Sequence, residues 1–350
     1  MTWEVECVHD AKSEAFPAKH DSYDAHGNHY VSDYDENWIG CLAADHELKW
    51  SVGPQDVPAY VTANSRHHIV APLSGPAHVK GFPDGSVVVT SFFSKHLHRI
   101  DPETSAVTLV IDAPDVGMAD IGYSELDDEG SIWVAEITGC RIWQFTADGE
   151  PARTIGTGQP GFQLESVPLS KAQFNWIYDI RMGPDGNLYV LDSKNYAVRV
   201  IDLKQDEVRR VAGCGRPGYT GDGGDPLDAN FGSNAQSPDK RHDAATFDGP
   251  WAISLDEQGN VFVGDTHNHV VRMVDRGANK IATISGRYEC DYGVRNKLPS
   301  RARAPEKAPA VAGDDGERTA GTENQRRPAV LVQRFRAMRR RHVNVLQVRS

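Results

Sequence analysis

The chain has 350 residues, of which 25% are charged and 39% are hydrophobic, and its formal net charge at pH 7 is -12. A chain of this length can bury a large core and form one or two domains. The acidic charge argues against nucleic acid as a partner of the main domain, because phosphate backbones bind basic surfaces. No apolar stretch is long enough to cross a membrane, and residues 1–6 lack the features of a signal peptide. The sequence therefore predicts a cytoplasmic protein that contacts no membrane.

One short pattern occurs five times along the chain. A glycine is followed by a strand of β-branched and aromatic residues, and most copies end in an acidic residue. The copies occupy residues 27–33, 85–89, 130–136, 186–192 and 259–265. Further apolar segments around each copy, as in residues 176–212, complete a unit of four strands joined by tight turns. The repeat predicts an all-β fold, a β-propeller of four-stranded antiparallel blades, with five blades recognisable and six in the complete fold.

The later copies resemble the NHL repeat. The resemblance is carried by residues 259–275, which include the pair Asn268 and His269, and by residues 192–199. The Gly- and Asp-rich residues 213–224 are similar to the connectors between NHL units. The resemblance extends over residues 18 to 286 and implies a propeller. It does not imply one activity, because such propellers serve as scaffolds, ligand-binding proteins and enzymes.

A column of polar residues is predicted at the axis of the propeller. Seven positions before the turn glycines, the innermost strands carry His20, His78, Tyr123, Asp179 and Ala252. In NHL repeats this position looks like glycine or another small residue. Imidazoles and carboxylates are ligands of divalent cations, so we predict one divalent metal ion, zinc or calcium, held by His20, His78 and Asp179. The alternative is that these side chains simply line a wet channel.

Two hypotheses for the function follow. The first is a propeller scaffold, without catalysis of its own, that acts as a monomer and binds a small molecule or a protein at one face. The second is a metal-dependent hydrolase or lyase with its site at the channel mouth, where Tyr123 or Asp179 would act as the base. Gluconolactonase-like hydrolases and peptidyl-hydroxyglycine amidating lyases are similar propellers that hold a metal there. The lyase histidines resemble His20 and His78 in kind. The lactonase ligands are acids and an amide, and in this chain only Asp179 matches them. The residues leave open whether the protein is an enzyme.

Other polar positions of the repeat are predicted to have structural roles. Six positions after each turn glycine the chain carries, in order, Asp33, Ser91, Glu136, Asp192 and Asp265. Carboxylates at strand ends accept backbone N–H groups, and we expect these to hold the loops that follow them, helped by Asn195 and Asn268. Arg199 and Arg272 are expected to pair with acids of neighbouring blades. His96 and His98, on one face of a strand, are expected beside the blade surface.

The pattern stops after Gly286. The sequence predicts two regions, an NHL-like propeller over residues 1–286 and a basic low-complexity tail over residues 287–350, which is either disordered or an out-of-frame gene end. From Gly286 to Ser350 there are 15 Lys and Arg against 7 Asp and Glu, so the rest of the chain is strongly acidic. The five cysteines are widely spaced and form no C-x-x-C motif, which favours reduced thiols over disulfides.

Overall fold

The structure is a computed structural model that describes residues 4–10, 20–23, 27–33, 37–43, 47–53, 73–82, 84–232, 249–286, 331–336 and 343–349. For residues 4–10, 20, 21, 23, 331–336 and 343–349 it describes strand pairing alone. These parts form an all-β fold with five four-stranded antiparallel blades in a propeller arrangement, as the repeat predicts.

Each blade is a meander in which consecutive strands pair. The first blade contains β2 (His20–Tyr23), β3 (His29–Asp33), β4 (Trp38–Leu42) and β5 (Leu48–Val52), and the second β6 (Pro76–Gly81), β7 (Val87–Ser91), β8 (His96–Asp101) and β9 (Ala106–Asp112). The third contains β10 (Ser124–Leu126), β11 (Ile132–Glu136), β12 (Arg141–Phe145) and β13 (Pro151–Ile155). The fourth contains β15 (Ile177–Met182), β16 (Leu188–Asp192), β17 (Ala197–Asp202) and β18 (Glu207–Ala212), with the short β14 (Val167–Pro168) added beside β18. The fifth contains β19 (Ala252–Leu255), β20 (Val261–Asp265), β21 (Val270–Asp275) and β22 (Lys280–Gly286).

A sixth sheet has three strands, in the order β1 (Glu4–Asp10), β24 (Val343–Arg349) and β23 (Leu331–Arg336). It joins the two ends of the chain, because β1 pairs antiparallel with β24 from Glu4 opposite Arg349 to Asp10 opposite Asn344. β23 lies against β19 of the fifth blade. Two strands therefore fall within the predicted tail, whose residues 287–330, 337–342 and 350 lie outside the described part of the chain.

The turn glycines have the conformation that their position in the repeat requires. Gly27, Gly85, Gly130, Gly186 and Gly259 all have φ between +74° and +85°. An L-residue with a side chain adopts this left-handed conformation only with strain, which explains why glycine occupies the turn between the first and second strands of every blade.

The core lies between blades rather than within them. Every residue of the five second strands β3, β7, β11, β16 and β20 is buried, since each of these strands is covered on both faces. Between the third and fourth blades, for example, Trp133 and Ile142 pack with Phe174 and Ile180. Face-to-face packing of neighbouring sheets places the innermost strands β2, β6, β10, β15 and β19 around one axis, where the polar column is expected.

Candidate functional site at the propeller axis

The innermost strands bring three of the predicted residues together. His78 on β6 and Asp179 on β15 each follow a β-bulge, between Pro76 and His78 in one strand and between Ile177 and Asp179 in the other. A bulge re-aims the side chain that follows it. Tyr123 directly precedes β10, and its ring lies 4.8 Å from that of His78 in an edge-on arrangement.

Arg181 connects these groups across the propeller. Its Nη1 donates to Oδ1 of Asp179 at 2.5 Å and lies 3.3 Å from Nε2 of His78, which belongs to the second blade. The other carboxylate oxygen of Asp179 accepts from the backbone N of Ile253 in the fifth blade at 2.9 Å. Asp179 is almost fully buried, and the Arg181 side chain remains 19% exposed. Arg181 therefore reaches from the fourth to the second blade, and part of its side chain is exposed to solvent.

A second ion pair lies beside the first. Nζ of Lys80 on β6 is 3.0 Å from Oε2 of Glu125 on β10, and both side chains are mostly buried. Burial lowers the pKa of Lys80, the charge of Arg181 lowers it further, and Glu125 opposes both effects. Two cations and two carboxylates thus share this site, and their formal charges balance.

Aromatic side chains continue the site across three blades. The centre of the Tyr178 ring lies 5.6 Å from that of Tyr123 and 5.4 Å from that of Trp251. The ring centres of Trp251 and His267 are 5.9 Å apart. Tyr178 and Trp251 are partly exposed. We define the channel cluster as these charged and aromatic groups together, namely His78, Lys80, Tyr123, Glu125, Tyr178, Asp179, Arg181 and Trp251.

The sequence analysis did not identify several members of the channel cluster. Lys80, Glu125 and Arg181 stand two positions after His78, Tyr123 and Asp179, so they lie on the same strand faces, because side chains alternate along a strand. Extending the column by two positions would have found them. Of the predicted set, Ala252 contributes no polar group. His20 is in β2 opposite Ser32, but its side chain lies outside the described part of the chain.

Two of the three predicted metal ligands, His78 and Asp179, are engaged in other contacts. The positive guanidinium of Arg181 lies between Asp179 and His78, so a divalent cation would have to displace it. Among the described residues no group of three or more His, Cys, Asp or Glu side chains is arranged to hold a metal ion. Since the side chain of His20 is not among them, the metal site stays a prediction.

The acids after the turn glycines have structural roles, with one correction. Asp192 accepts from the backbone N of Asn175 at 2.7 Å, Asp265 from that of Gly232 at 2.8 Å, and Glu136 from that of Ala119 at 2.7 Å. These donors belong to the connector that precedes the blade, whereas the sequence analysis expected the loop that follows the acid. The amides of Asn195 and Asn268 also bond to Asp192 and Asp265, as expected. Burial raises the pKa of Asp192 and Asp265 to about 6.

The prediction that Arg199 and Arg272 pair with acids of neighbouring blades was wrong. Arg199 pairs with Asp192 of its own blade at 3.4 Å, and Arg272 pairs with Asp222 of the connector at 2.7 Å. Both side chains are fully buried. The sequence spacing identified equivalent positions, but the direction of a long side chain depends on which acid the surrounding loops bring near.

His96 and His98 are buried instead of lying beside the blade surface. His98 occupies the place of Arg199 in its blade, and its Nδ1 lies 3.2 Å from Oγ of Ser91, which takes the place of Asp192. Nε2 of His96 lies 3.6 Å from Asp112, and the two imidazoles are 5.5 Å apart. Burial, and secondarily His96, lower the pKa of His98 to about 3. In the second blade, the neutral pair of Ser91 and His98 therefore stands where the fourth blade has the ion pair of Asp192 and Arg199.

Comparisons with known proteins support the fold. No family model and no curated protein sequence matches the chain. An auxiliary nutrient binding protein from Bacteroides ovatus is similar in structure, with 11% identity, a TM-score of 0.51, and coverage of 81% of this chain and 64% of that one. A virginiamycin B lyase from Staphylococcus aureus has 12% identity and a TM-score of 0.48 over 82% of this chain and 89% of that one.

The five four-stranded blades define the protein as a β-propeller. At 11% identity, the similarity to the nutrient binding protein concerns the fold alone. In the part of the chain that is described, no helix has the length and apolar character needed to cross a lipid bilayer.

Proposed function

We propose that the protein is a ligand-binding propeller that holds a small polar molecule at the channel cluster. The observation that carries the proposal is the row of aromatic rings Tyr123, Tyr178 and Trp251, which spans three blades beside two ion pairs. Ligand sites combine aromatic walls with a few polar groups that fix orientation. Tyr178 and Trp251 are partly exposed and the Arg181 side chain is 19% exposed, so all three are accessible to a ligand.

The charge balance of the site indicates the kind of ligand. Lys80 with Glu125 and Arg181 with Asp179 form two neutral pairs, so a ligand with a net charge would meet no excess charge to neutralise it. The pairs still offer both donors and acceptors beside the flat faces of aromatic rings. A neutral, ring-shaped molecule with several hydroxyl groups, such as a saccharide, fits this combination.

Calorimetric titration with a panel of neutral mono- and disaccharides tests the proposal. Tyr178→Ala removes the central ring, and we expect it to weaken binding of any responding sugar by about tenfold or more, the loss typical of a central aromatic contact. Phe93→Ala, which removes an aromatic ring that is 59% exposed on a loop of the second blade, is the matched control and should leave binding unchanged. Equal affinities for the two variants would contradict the site.

The second candidate is a metal-dependent hydrolase or lyase at the same place. It is favoured by the convergence of His78, Tyr123 and Asp179, three residues predicted for this role. Metal analysis of the purified protein tests it, with His78→Ala combined with Asp179→Asn as the disrupting variant. His269→Asn, in a turn of the fifth blade, is the control. Stoichiometric metal that the double variant loses and the control retains would support the enzyme, and metal retained by both would exclude this site.

A further inference from the structure

The channel cluster contains one primary amine, that of Lys80 on β6. Its Nζ lies 3.0 Å from Oε2 of Glu125, and its side chain is 17% exposed. His78 stands two positions earlier on the same strand, so the two side chains share a strand face. The amine is therefore held beside the groups of the ligand site and remains reachable from solvent.

The surroundings of Lys80 raise the fraction of its amine that is neutral. Burial lowers the pKa of Lys80, and the positive charge of Arg181 lowers it further, against the opposing effects of Glu125 and Asp179. Only a neutral amine attacks a carbonyl carbon, so a lysine that is desolvated beside another cation is the more reactive one at a given pH. Lys95, by contrast, is exposed.

Glu125 is placed to move the protons that such an attack requires. The 3.0 Å between its Oε2 and Nζ of Lys80 is within hydrogen-bond range. Its other oxygen, Oε1, accepts from the backbone N of Leu126 at 3.1 Å, which orients the carboxylate. A carboxylate in this position can accept a proton from the ammonium group and later donate it to an oxygen that leaves as water.

We propose that Lys80 forms an imine with the aldehyde group of a small hydroxylated ligand. This inference rests on the proposed function, because the ligand occupies the same channel cluster. An aldose in its open-chain form has both features, an aldehyde that reacts with the amine and hydroxyl groups that the ion pairs can bind.

The reaction conserves atoms and charge at this site. The nitrogen of Lys80 attacks the carbonyl carbon, and a C=N bond replaces the C=O bond. Two of the three ammonium protons leave with the carbonyl oxygen as water, one of them by way of Glu125. The protonated imine carries the same positive charge as the ammonium group, so its ion pair with Glu125 persists and the charge balance of the channel cluster is unchanged. The step needs no oxidant, reductant or metal.

Reductive trapping of the full chain tests this inference. The protein is incubated near neutral pH with glycolaldehyde and sodium cyanoborohydride, which delivers a hydride to the C=N bond and leaves a hydroxyethyl group on the modified lysine. Peptide mass spectrometry then locates the label over time. We expect the label on Lys80 before it appears on the exposed Lys95. Labelling of Lys80 that is absent, or no faster than that of Lys95, would overturn the proposal.

A pair of matched variants identifies the reacting group. Lys80→Arg keeps a cation beside Glu125, but a guanidinium forms no imine under these conditions, so the early label should be lost. Lys95→Arg makes the same replacement outside the channel cluster and should retain the early label. Equal early labelling of the two variants would also contradict the assignment. Thermal unfolding checks that both variants fold, and the mapping on the wild type decides the question if Lys80→Arg does not.

The calorimetric titration separates a failure of this inference from a failure of the proposed function. Binding of a sugar without early label on Lys80 would overturn the imine and leave the ligand site standing. Early label on Lys80 without a response to any sugar would support the imine and contradict the saccharide as the ligand.

Discussion

The second blade should make the protein sensitive to acid through His98. The imidazole is fully buried beside Ser91 and His96, and its pKa is about 3 against an ordinary value of 6.5. A base whose pKa is depressed by folding binds fewer protons in the native state, so stability is present above the unfolded pKa and is lost as the pH falls below it. Between pH 7.5 and pH 5, these two pKa values correspond to a loss of about 2 kcal/mol from this one group.

Comparison with His98→Gln isolates this contribution, since glutamine keeps a polar partner for Ser91 but does not titrate. His96 and Asp112 face the same region and remain in both proteins. Asp192 and Asp265, whose pKa values burial raises to about 6, act in the opposite direction, because their protonation in the native state favours folding. Their effects cancel in the difference between the two proteins.

The measurement is urea-induced unfolding followed by tryptophan fluorescence at pH 7.5, 6 and 5. We expect the free energy of unfolding of the wild type to fall about 2 kcal/mol more than that of His98→Gln across this range. The variant is less stable at pH 7.5, where it loses packing, and the gap should narrow as the pH falls. Identical pH dependence in the two proteins would refute the argument that buried neutral His98 sets the acid response.

Three other perturbations test the architecture. Arg199→Met should cost about 3 to 5 kcal/mol in urea unfolding at pH 7.5, because it leaves the buried Asp192 without its cation; adding Asp192→Leu should restore part of the loss, and no recovery would contradict the pairing. Gly213→Ala should cost at least about 2 kcal/mol more than Gly186→Ala. Both have positive φ, but only the Cβ at position 213 would meet backbone, 2.2 Å from Tyr196 O. Deletion of residues 1–10 should lower the unfolding midpoint, because β1 pairs with β24; an unchanged midpoint would argue that the terminal sheet adds no stability.

The repeat allowed most of the propeller to be predicted. A tight turn between antiparallel strands needs a residue with positive φ, so the spacing of Gly85, Gly130 and Gly186 marks the same point of successive blades. The structural role of Asp192 was predictable for a similar reason, since a carboxylate at a strand end finds backbone donors nearby. Its donor was not, because Asn175 lies 17 residues earlier, in the connector that precedes the blade.

The candidate site was only partly predictable. The column that contains His78, Tyr123 and Asp179 was visible in the alignment of the copies. The two bulges that orient His78 and Asp179, and the reach of Arg181 into another blade, were not. Alternation along a strand indicates which face a residue occupies, but contacts between blades depend on side-chain length and on the local geometry of the neighbouring strand.

The sequence by itself determined the class of fold, the number of recognisable blades and the strand positions that face the axis, because these depend on local turn chemistry and on alternating burial. The tertiary structure decided which charges pair and which histidines are buried. These depend on connectors of unequal length between the blades, such as residues 113–123 before the third blade and residues 156–176 before the fourth. Contacts between residues far apart in the chain form only when the blades are assembled, so no local pattern encodes them.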